Sequence, residues 1–180
     1  MALDGVGHGI GAGERSVVVG ISQSLAGLAA LRYALAEARH RKVPLCAVRA
    51  WPLPLSGRGP AVIQWQYELK SGAQRYVVDA FDAAVGGPPD DVEVRVVTPC
   101  GRADAVLLDL ANGSGQLLVL GARTTRRWLW PSWVVRGCVR AARCPVIVVP
   151  PPDLVTIAGS RRRFRTLSRE IERFTAGGLA

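Results

Sequence analysis

The stretch Ser16-Val-Val-Val-Gly-Ile21, closed by the polar Ser22-Gln-Ser24, decides the fold. A short β-branched run with a polar stop is typical of a strand buried on both faces. Apolar residues then recur at helical spacing from Leu25 to about His40, and Ser24 is available as the N-cap. A buried strand followed directly by an amphipathic helix indicates a helix that packs on a sheet.

The same alternation of strand and helix continues along the chain. We predict further strands at Leu45–Ala50, Val92–Val97, Gln116–Leu120 and Pro145–Val149, and helices at Trp65–Val85, Ala103–Ala111 and Val134–Ala142. Repeated strand, crossover, strand units form a parallel sheet with helices on both faces, because each crossover returns right-handed over the sheet. The sequence therefore predicts an α/β fold with a five-stranded parallel sheet.

Length and composition fit one domain with short extensions. The chain has 180 residues, of which 49% are hydrophobic, enough to bury a single core. The formal net charge of +9 favours acidic partners such as phosphates, nucleic acid or anionic membranes. Net charge alone does not distinguish among these partners. It is equally compatible with a protein that binds no acidic partner.

Both ends of the chain differ in composition from its middle. Residues 1–15 are glycine-rich without a signal-peptide pattern, and we predict a flexible leader. Residues 16–150 form the predicted domain, which the prolines Pro150-Pro-Pro152 end. Residues 151–180 form a basic tail with a short helix candidate at Leu167–Phe174. Because no apolar run approaches the roughly 20 residues of a membrane span, we predict a soluble, cytoplasmic protein.

The cysteines and histidines do not form a metal-binding pattern. Cys46, Cys100, Cys138 and Cys144 contain no CxxC pair, and His8 and His40 lie far from them in the sequence. Each thiol lies in or beside an apolar segment, where cysteine behaves as a small hydrophobic residue. We predict no metal site, and reduced thiols as in a cytosolic protein.

Two stretches resemble a known family. The first is Val17-Val-Val-Gly-Ile21 with Ala30-Leu-Arg-Tyr-Ala34, and the second joins Leu118-Val-Leu-Gly-Ala-Arg123 to Val139-Arg-Ala-Ala-Arg-Cys-Pro-Val-Ile-Val-Val149. Together they resemble the universal stress protein family over about Ser16 to Pro150. The resemblance implies strand order 3-2-1-4-5, as in the Rossmann-like adenine-nucleotide alpha-hydrolase fold, and a stress-response regulatory module. It also implies a homodimer joined through the strand Pro145–Val149.

In such a sheet the ligand crevice lies at the carboxyl ends of the strands, where the strand order reverses. That rule places Ile21 and Ser22 opposite Gly121–Arg123, with the N-terminus of the last helix beyond as an anion site. Family members that bind ATP have an aspartate after strand one and a glycine-rich phosphate loop, G-2x-G-9x-G-(S/T). The resemblance therefore implies candidate nucleotide-binding positions at Ile21, Ser22, Ala50, Gly121, Arg123 and Ser132.

The chain departs from that motif at most diagnostic positions. Ser22 replaces the aspartate, Gln23 the following glycine and Thr124 the second loop glycine, and Ser132-Trp133 falls on the final Gly-Ser pair. We expect a tryptophan there to block the close approach of a phosphate. We therefore predict no obligatory cofactor, with ATP or AMP as the alternative ligand.

Two further interpretations concern the loop from Arg123 to Trp133, which is rich in arginine and tryptophan. The loop and the basic tail could bind nucleic acid or an anionic membrane. Alternatively, the tryptophans fill the crevice or cover a dimer surface. No histidine accompanies a serine or cysteine nucleophile, and Asp104 and Asp109 are read as ordinary polar-face residues. The chain is therefore predicted not to be an enzyme.

Overall fold

The computed structural model describes residues 14–52, 60–122 and 132–152, without the side chains of residues 60–63. The predicted leader, except for its last two residues, the loop 123–131 and the tail beyond 152 lie outside this range. Strands and helices alternate in the order β1 (Val17–Gly20), α1 (Leu25–Arg41), β2 (Leu45–Val48), α2 (Pro60–Val85), β3 (Val94–Val97), α3 (Ala103–Leu110), β4 (Leu117–Gly121), α4 (Trp133–Ala141) and β5 (Val146–Val149).

The five strands form one parallel sheet in the order β3-β2-β1-β4-β5. This confirms the predicted fold class, and the strands begin and end within two residues of the predicted positions. The order reverses at β1, which lies between β2 and β4. After β1 the chain continues into a helix on one face of the sheet, and after β4 it continues into a helix on the other face. A crevice therefore lies between the carboxyl ends of these two strands.

Two layers of helices cover the sheet. Side chains alternate across each strand, so Val17 and Val19 of β1 point to one face and Val18 to the other. The first face packs on α1 and α2 through Leu31, Leu35 and Phe81. On the second face, Leu107 of α3 and Val135 and Cys138 of α4 form a separate cluster. Both faces of the central strands are buried, which explains their uninterrupted apolar sequence.

The ends of α1 follow the sequence signals, whereas the start of α2 does not. The Ser24 side chain accepts a hydrogen bond from the Gly27 amide at 3.1 Å, as expected of an N-cap. Helix α2 begins at Pro60, five residues before the predicted start at Trp65. Trp65 and Tyr67 are exposed, so these two residues do not belong to the buried stripe that includes Ala73 and Val77 further along the helix. Proline at the first helical position is a favourable start that the prediction overlooked.

No helix within the described residues is long and apolar enough to cross a membrane.

A candidate ligand cleft at the carboxyl ends of the strands

A cleft of about 200 Å³ opens where the strand order reverses. The ends of three strands and the first turns of α3 and α4 line it. Its lining residues are Gly20, Ile21, Ser22, Ser24, Val48, Arg49, Ala50, Ala103, Leu107, Leu120, Gly121, Ser132, Trp133, Val134 and Val135. The lining includes five of the six predicted positions, Ile21, Ser22, Ala50, Gly121 and Ser132. The sixth, Arg123, lies outside the described residues.

Two glycines allow the backbone to approach closely on one side of the cleft. A Cβ atom on Gly121 would lie 2.7 Å from the carbonyl of Ala26 and from the amide nitrogen of Gly27. A Cβ on Gly27 would collide with the carbonyl oxygen of Ser22. Gly121 thus does more than end β4, since its lack of a side chain lets the strand meet the first turn of α1.

Hydroxyl groups occupy the turn after β1, where the family motif has an acid. The Ser22 hydroxyl donates to the Ser24 hydroxyl at 3.1 Å and accepts from the Ser24 amide at 3.3 Å. Both side chains line the cleft. This wall therefore offers neutral hydrogen-bonding groups and does not repel an anion.

The N-terminus of α4 forms part of another wall. The Ser132 side chain accepts a hydrogen bond from the Val135 amide at 3.3 Å. The amides of Trp133 and Val134 come too early in the helix to have an intrahelical acceptor. Such amides, together with the helix dipole, favour a negatively charged group.

Trp133 lines the cleft, and the expectation that a tryptophan here blocks the close approach of a phosphate stays a prediction. The residue is 54% exposed and lies on the rim. Its ring lies 5.5 Å from the guanidinium carbon of Arg102, within range of a cation–π contact. The described indole thus lies near the guanidinium of Arg102, at the residue before α3, and keeps much of its surface exposed.

Arg49, which the sequence analysis did not single out, contributes a positive charge to the cleft. It directly follows β2, and its guanidinium carbon lies 3.9 Å from the centre of the Tyr76 ring. Its Nη1 donates to the carbonyl oxygen of Ile21 at 3.3 Å. Among the described residues, no carboxylate forms a salt bridge with it. The sequence analysis extended this strand to Ala50, so Arg49 fell inside it, whereas an end at Val48 places Arg49 just after the strand.

Asp104 is not the ordinary polar-face residue that the sequence suggested. Its side chain is 14% exposed and pairs with Arg102 at 2.9 Å. It also packs against α4, since a Cβ on Gly137 would lie 3.0 Å from its Oδ2. The hydrogen bond from Arg102 lowers the pKa of the Asp104 carboxyl, which is therefore held ionised in a structural contact.

The cysteines are free, and three of them are buried. Burial raises the pKa of the Cys46 thiol to about 12 and that of Cys138 to about 11, so neither is a ready nucleophile. No group of histidine, cysteine and acidic residues that could hold a metal occurs in ranges 14–52, 60–122 and 132–152. The predictions that rest on the arginine and tryptophan loop and on the tail stay predictions.

The comparisons with known proteins agree with this architecture. A family model described as the universal stress protein family matches residues 14–150. Universal stress protein Rv2623 of Mycobacterium tuberculosis strain H37Rv is 33% identical over 156 residues, covering 77% of this chain and 48% of that protein. A second curated relative, universal stress protein MT2698 of strain CDC 1551, matches equally well. The chain spans about half the length of these curated relatives.

The solved structures show the same fold. UspA of Lactobacillus plantarum, a universal stress protein, has a TM-score of 0.54 at 22% identity, covering 77% of this chain and 99% of that one. The structure of the hypothetical protein MJ0577 has a TM-score of 0.56 at 10% identity, covering 77% of this chain and 96% of that one. The family match spans most of the chain and coincides with the observed sheet, so the chain belongs to the universal stress protein family.

Proposed function

We propose that the chain is a non-catalytic, cytoplasmic regulatory module that works as a homodimer joined through the strand Pro145–Val149. The observation that carries this proposal is the exposure of β5. All four of its residues are β-branched and apolar, yet each is at least partly exposed, and Val148 is 37% exposed. Apolar edge strands with unpaired backbone groups are templates for pairing with another chain.

The opposite edge of the sheet is protected in the usual way. Arg95 of β3 forms salt bridges with Glu14 at 2.9 Å and with Glu93 at 2.7 Å. Charged side chains on an edge strand discourage pairing with a second sheet. β5 has no such charged side chains. The difference between the two edges therefore supports pairing with a second chain at β5 and not at β3.

Helix α4 can extend a contact that begins at β5. The helix packs beside β5, and Val139 on its outer surface is 55% exposed. A stable interface needs about 1,000 Å² or more, which a four-residue strand cannot bury alone. An apolar helix surface next to the edge supplies part of the missing area.

The composition of the cleft supports binding rather than catalysis. Its described lining has no carboxylate, histidine or cysteine, so these groups cannot act there as general base or nucleophile. Arg49 and the α4 amides can hold an anion but do not accept a proton at neutral pH. These groups suit a module that senses or presents a ligand.

The oligomeric state tests the dimer. We expect light scattering after size exclusion to give twice the monomer mass at micromolar concentration. Val148→Lys puts a charge on the pairing edge and should give a monomer with unchanged circular dichroism. Val85→Lys is the matched control, because Val85 is 42% exposed at the end of α2. A monomeric parent protein, or a Val148→Lys variant that stays dimeric, would overturn the proposal.

A second candidate function, binding of ATP or AMP, is favoured by the groups that line the cleft. Arg49 and the first amides of α4 provide positive potential on two sides of it, and Ser22 adds a neutral hydrogen-bonding group. Isothermal titration with ATP and magnesium tests this candidate separately from the dimer. A saturable heat signal would support it, and no heat at millimolar ligand would exclude it.

A further inference from the structure

We propose that the outer surface of α4 binds single-stranded nucleic acid, with an indole stacked on a base and arginines bound to phosphates. The side chains concerned, which we call the α4 strip, are Trp133, Arg136, Arg140 and Arg143. They belong to α4 and the turn after it, which the structure describes, and not to the loop 123–131 or the tail. The inference is independent of the dimer and of the second candidate function.

The α4 strip lies on the side of the helix that faces away from the sheet. Val135 and Cys138 are buried beneath the helix. Trp133, Arg136 and Arg140 are exposed. Residues three or four positions apart are neighbours on a helix surface, with about 5–6 Å between their Cβ atoms. These three residues follow that spacing, so an aromatic residue and two arginines succeed one another along one line of the surface.

The charge of this region has one sign. Residues 132–152 contain three arginines, all in the α4 strip, and no acidic residue. Arg143 lies two residues beyond the end of α4 and is exposed. Among the described residues, no carboxylate forms a salt bridge with Arg140 or Arg143. The preceding residues 123–131 contain no acidic residue either. The strip is therefore complementary in charge to a polyanion.

The types of residue in the strip favour nucleic acid over other polyanions. Arginine binds phosphate through a planar fork of donors. An exposed aromatic ring beside such arginines suits unpaired bases, which stack on the ring while the backbone follows the positive charge. A helix that lies in a membrane surface inserts its apolar side into lipid. The apolar side of α4 is already packed on the sheet, which argues against a membrane.

The Trp133 ring has a neighbour that helps to orient it. The guanidinium carbon of Arg102 lies 5.5 Å from the ring centre, and Arg102 pairs with Asp104 at 2.9 Å. Trp133 is nevertheless 54% exposed, which leaves surface for a base. A group oriented in advance loses little conformational entropy on binding. Trp133 therefore has both the access and the support that stacking requires.

Fluorescence anisotropy with a labelled oligo(dT) of about ten nucleotides measures the binding. Trp133→Ala should weaken it about five- to hundred-fold, as for the loss of one stacked base. Trp65→Ala is the matched control, because Trp65 is 50% exposed on α2, which packs on the opposite face of the sheet. That variant should bind as the parent does. Trp133→Phe retains an aromatic ring and should retain most of the affinity, and it serves as the second variant if Trp133→Ala does not fold.

The salt dependence of the affinity tests the arginines. Each arginine that contacts a phosphate of a single strand adds about 0.7 to the slope of log affinity against log salt concentration. Arg140→Gln and Arg143→Gln should each lower the slope by about that amount. Arg75→Gln is the matched control, since Arg75 is exposed on α2 and forms no salt bridge within the described residues.

No binding of oligo(dT) at about 50 mM salt, or binding that Trp133→Ala leaves unchanged, would overturn the inference. A duplex of the same length that binds equally well would also overturn it, because paired bases are not free to stack on an indole. Binding to phosphatidylserine vesicles without binding to oligo(dT) would show that the strip recognises a membrane instead. None of these results affects the dimer or the binding of ATP.

Discussion

The two faces of the sheet are built differently. The face under α1 and α2 has the larger cluster of buried residues, including Leu31, Leu35 and Phe81. The face under α3 and α4 has a smaller cluster, and Leu107 and Val135 belong both to that cluster and to the wall of the cleft. One face thus mainly supplies stability, and the other combines packing with a binding surface.

The largest expected effect compares two leucines. Leu35→Ala leaves a closed cavity in the α1 and α2 face and should lower the free energy of unfolding by about 3–5 kcal/mol. Leu107→Ala enlarges a cleft that is already open, so it should cost only about 2–3 kcal/mol. Urea unfolding of the two variants measures both values. Equal costs would show that the cleft face is packed as completely as the other.

Two glycine substitutions test how closely β4 packs against α1. Gly121→Ala places a methyl group 2.7 Å from the first turn of α1 and should destabilise the protein by about 1–3 kcal/mol. Gly72→Ala, inside α2, is the control, because no atom of a neighbouring described element lies within 4 Å of its added Cβ. That substitution should instead stabilise the protein by about 0.5–1 kcal/mol. Thermal unfolding distinguishes the opposite signs, and a neutral Gly121→Ala would contradict the close approach.

A buried thiol on the cleft face should make stability depend on alkaline pH. Burial raises the pKa of Cys46 from 9.0 in the unfolded chain to about 12. The stability linked to this thiol is complete below pH 9 and is lost as the pH rises toward 12, because the unfolded chain releases the proton first. Between pH 9 and pH 10 the loss should be about 1 kcal/mol.

Urea unfolding of the parent and of Cys46→Ala across this pH range measures that loss, which should be absent from the variant. Other groups also titrate there, so the difference between the two proteins is the quantity to compare. Cys100→Ala, at a half-exposed cysteine, is the control and should behave as the parent does. Parallel curves for Cys46→Ala and the parent would mean that Cys46 is accessible to water.

The sequence predicted most of the fold because both layers depend on local patterns. The run Val17–Val19 is apolar since it is buried on both faces, and Ser24 marks the start of α1 because it caps the helix. The predicted start of α2 was wrong, and Trp65, where it was placed, is exposed and does not belong to the buried stripe of the helix. The apolar pattern of a sequence reflects which side chains are buried. Helix ends that bury few side chains are therefore the hardest to predict from it.

The cleft was predicted only in part. The strand order that the family resemblance implies placed Ile21 and Gly121 at its edge, since strand order fixes where the sheet opens. The role of Arg49 depends on Tyr76, 27 positions later, and on how α2 crosses the sheet. Neither the helical nor the strand period encodes that contact. Chemistry that depends on two distant elements becomes visible only in three dimensions.

The smallest effect concerns a buried hydroxyl at the end of the sheet remote from the cleft. Ser16 is 2% exposed, and its hydroxyl has no hydrogen-bond partner among the described residues. A buried polar group without a partner is unfavourable, so Ser16→Ala should be neutral or stabilise the protein by up to about 1 kcal/mol. Ser24→Ala, the same change at the N-cap of α1, should instead cost about 1 kcal/mol. Thermal unfolding of both variants decides the matter, and a clear loss of stability in Ser16→Ala would mean that its hydroxyl is bonded after all.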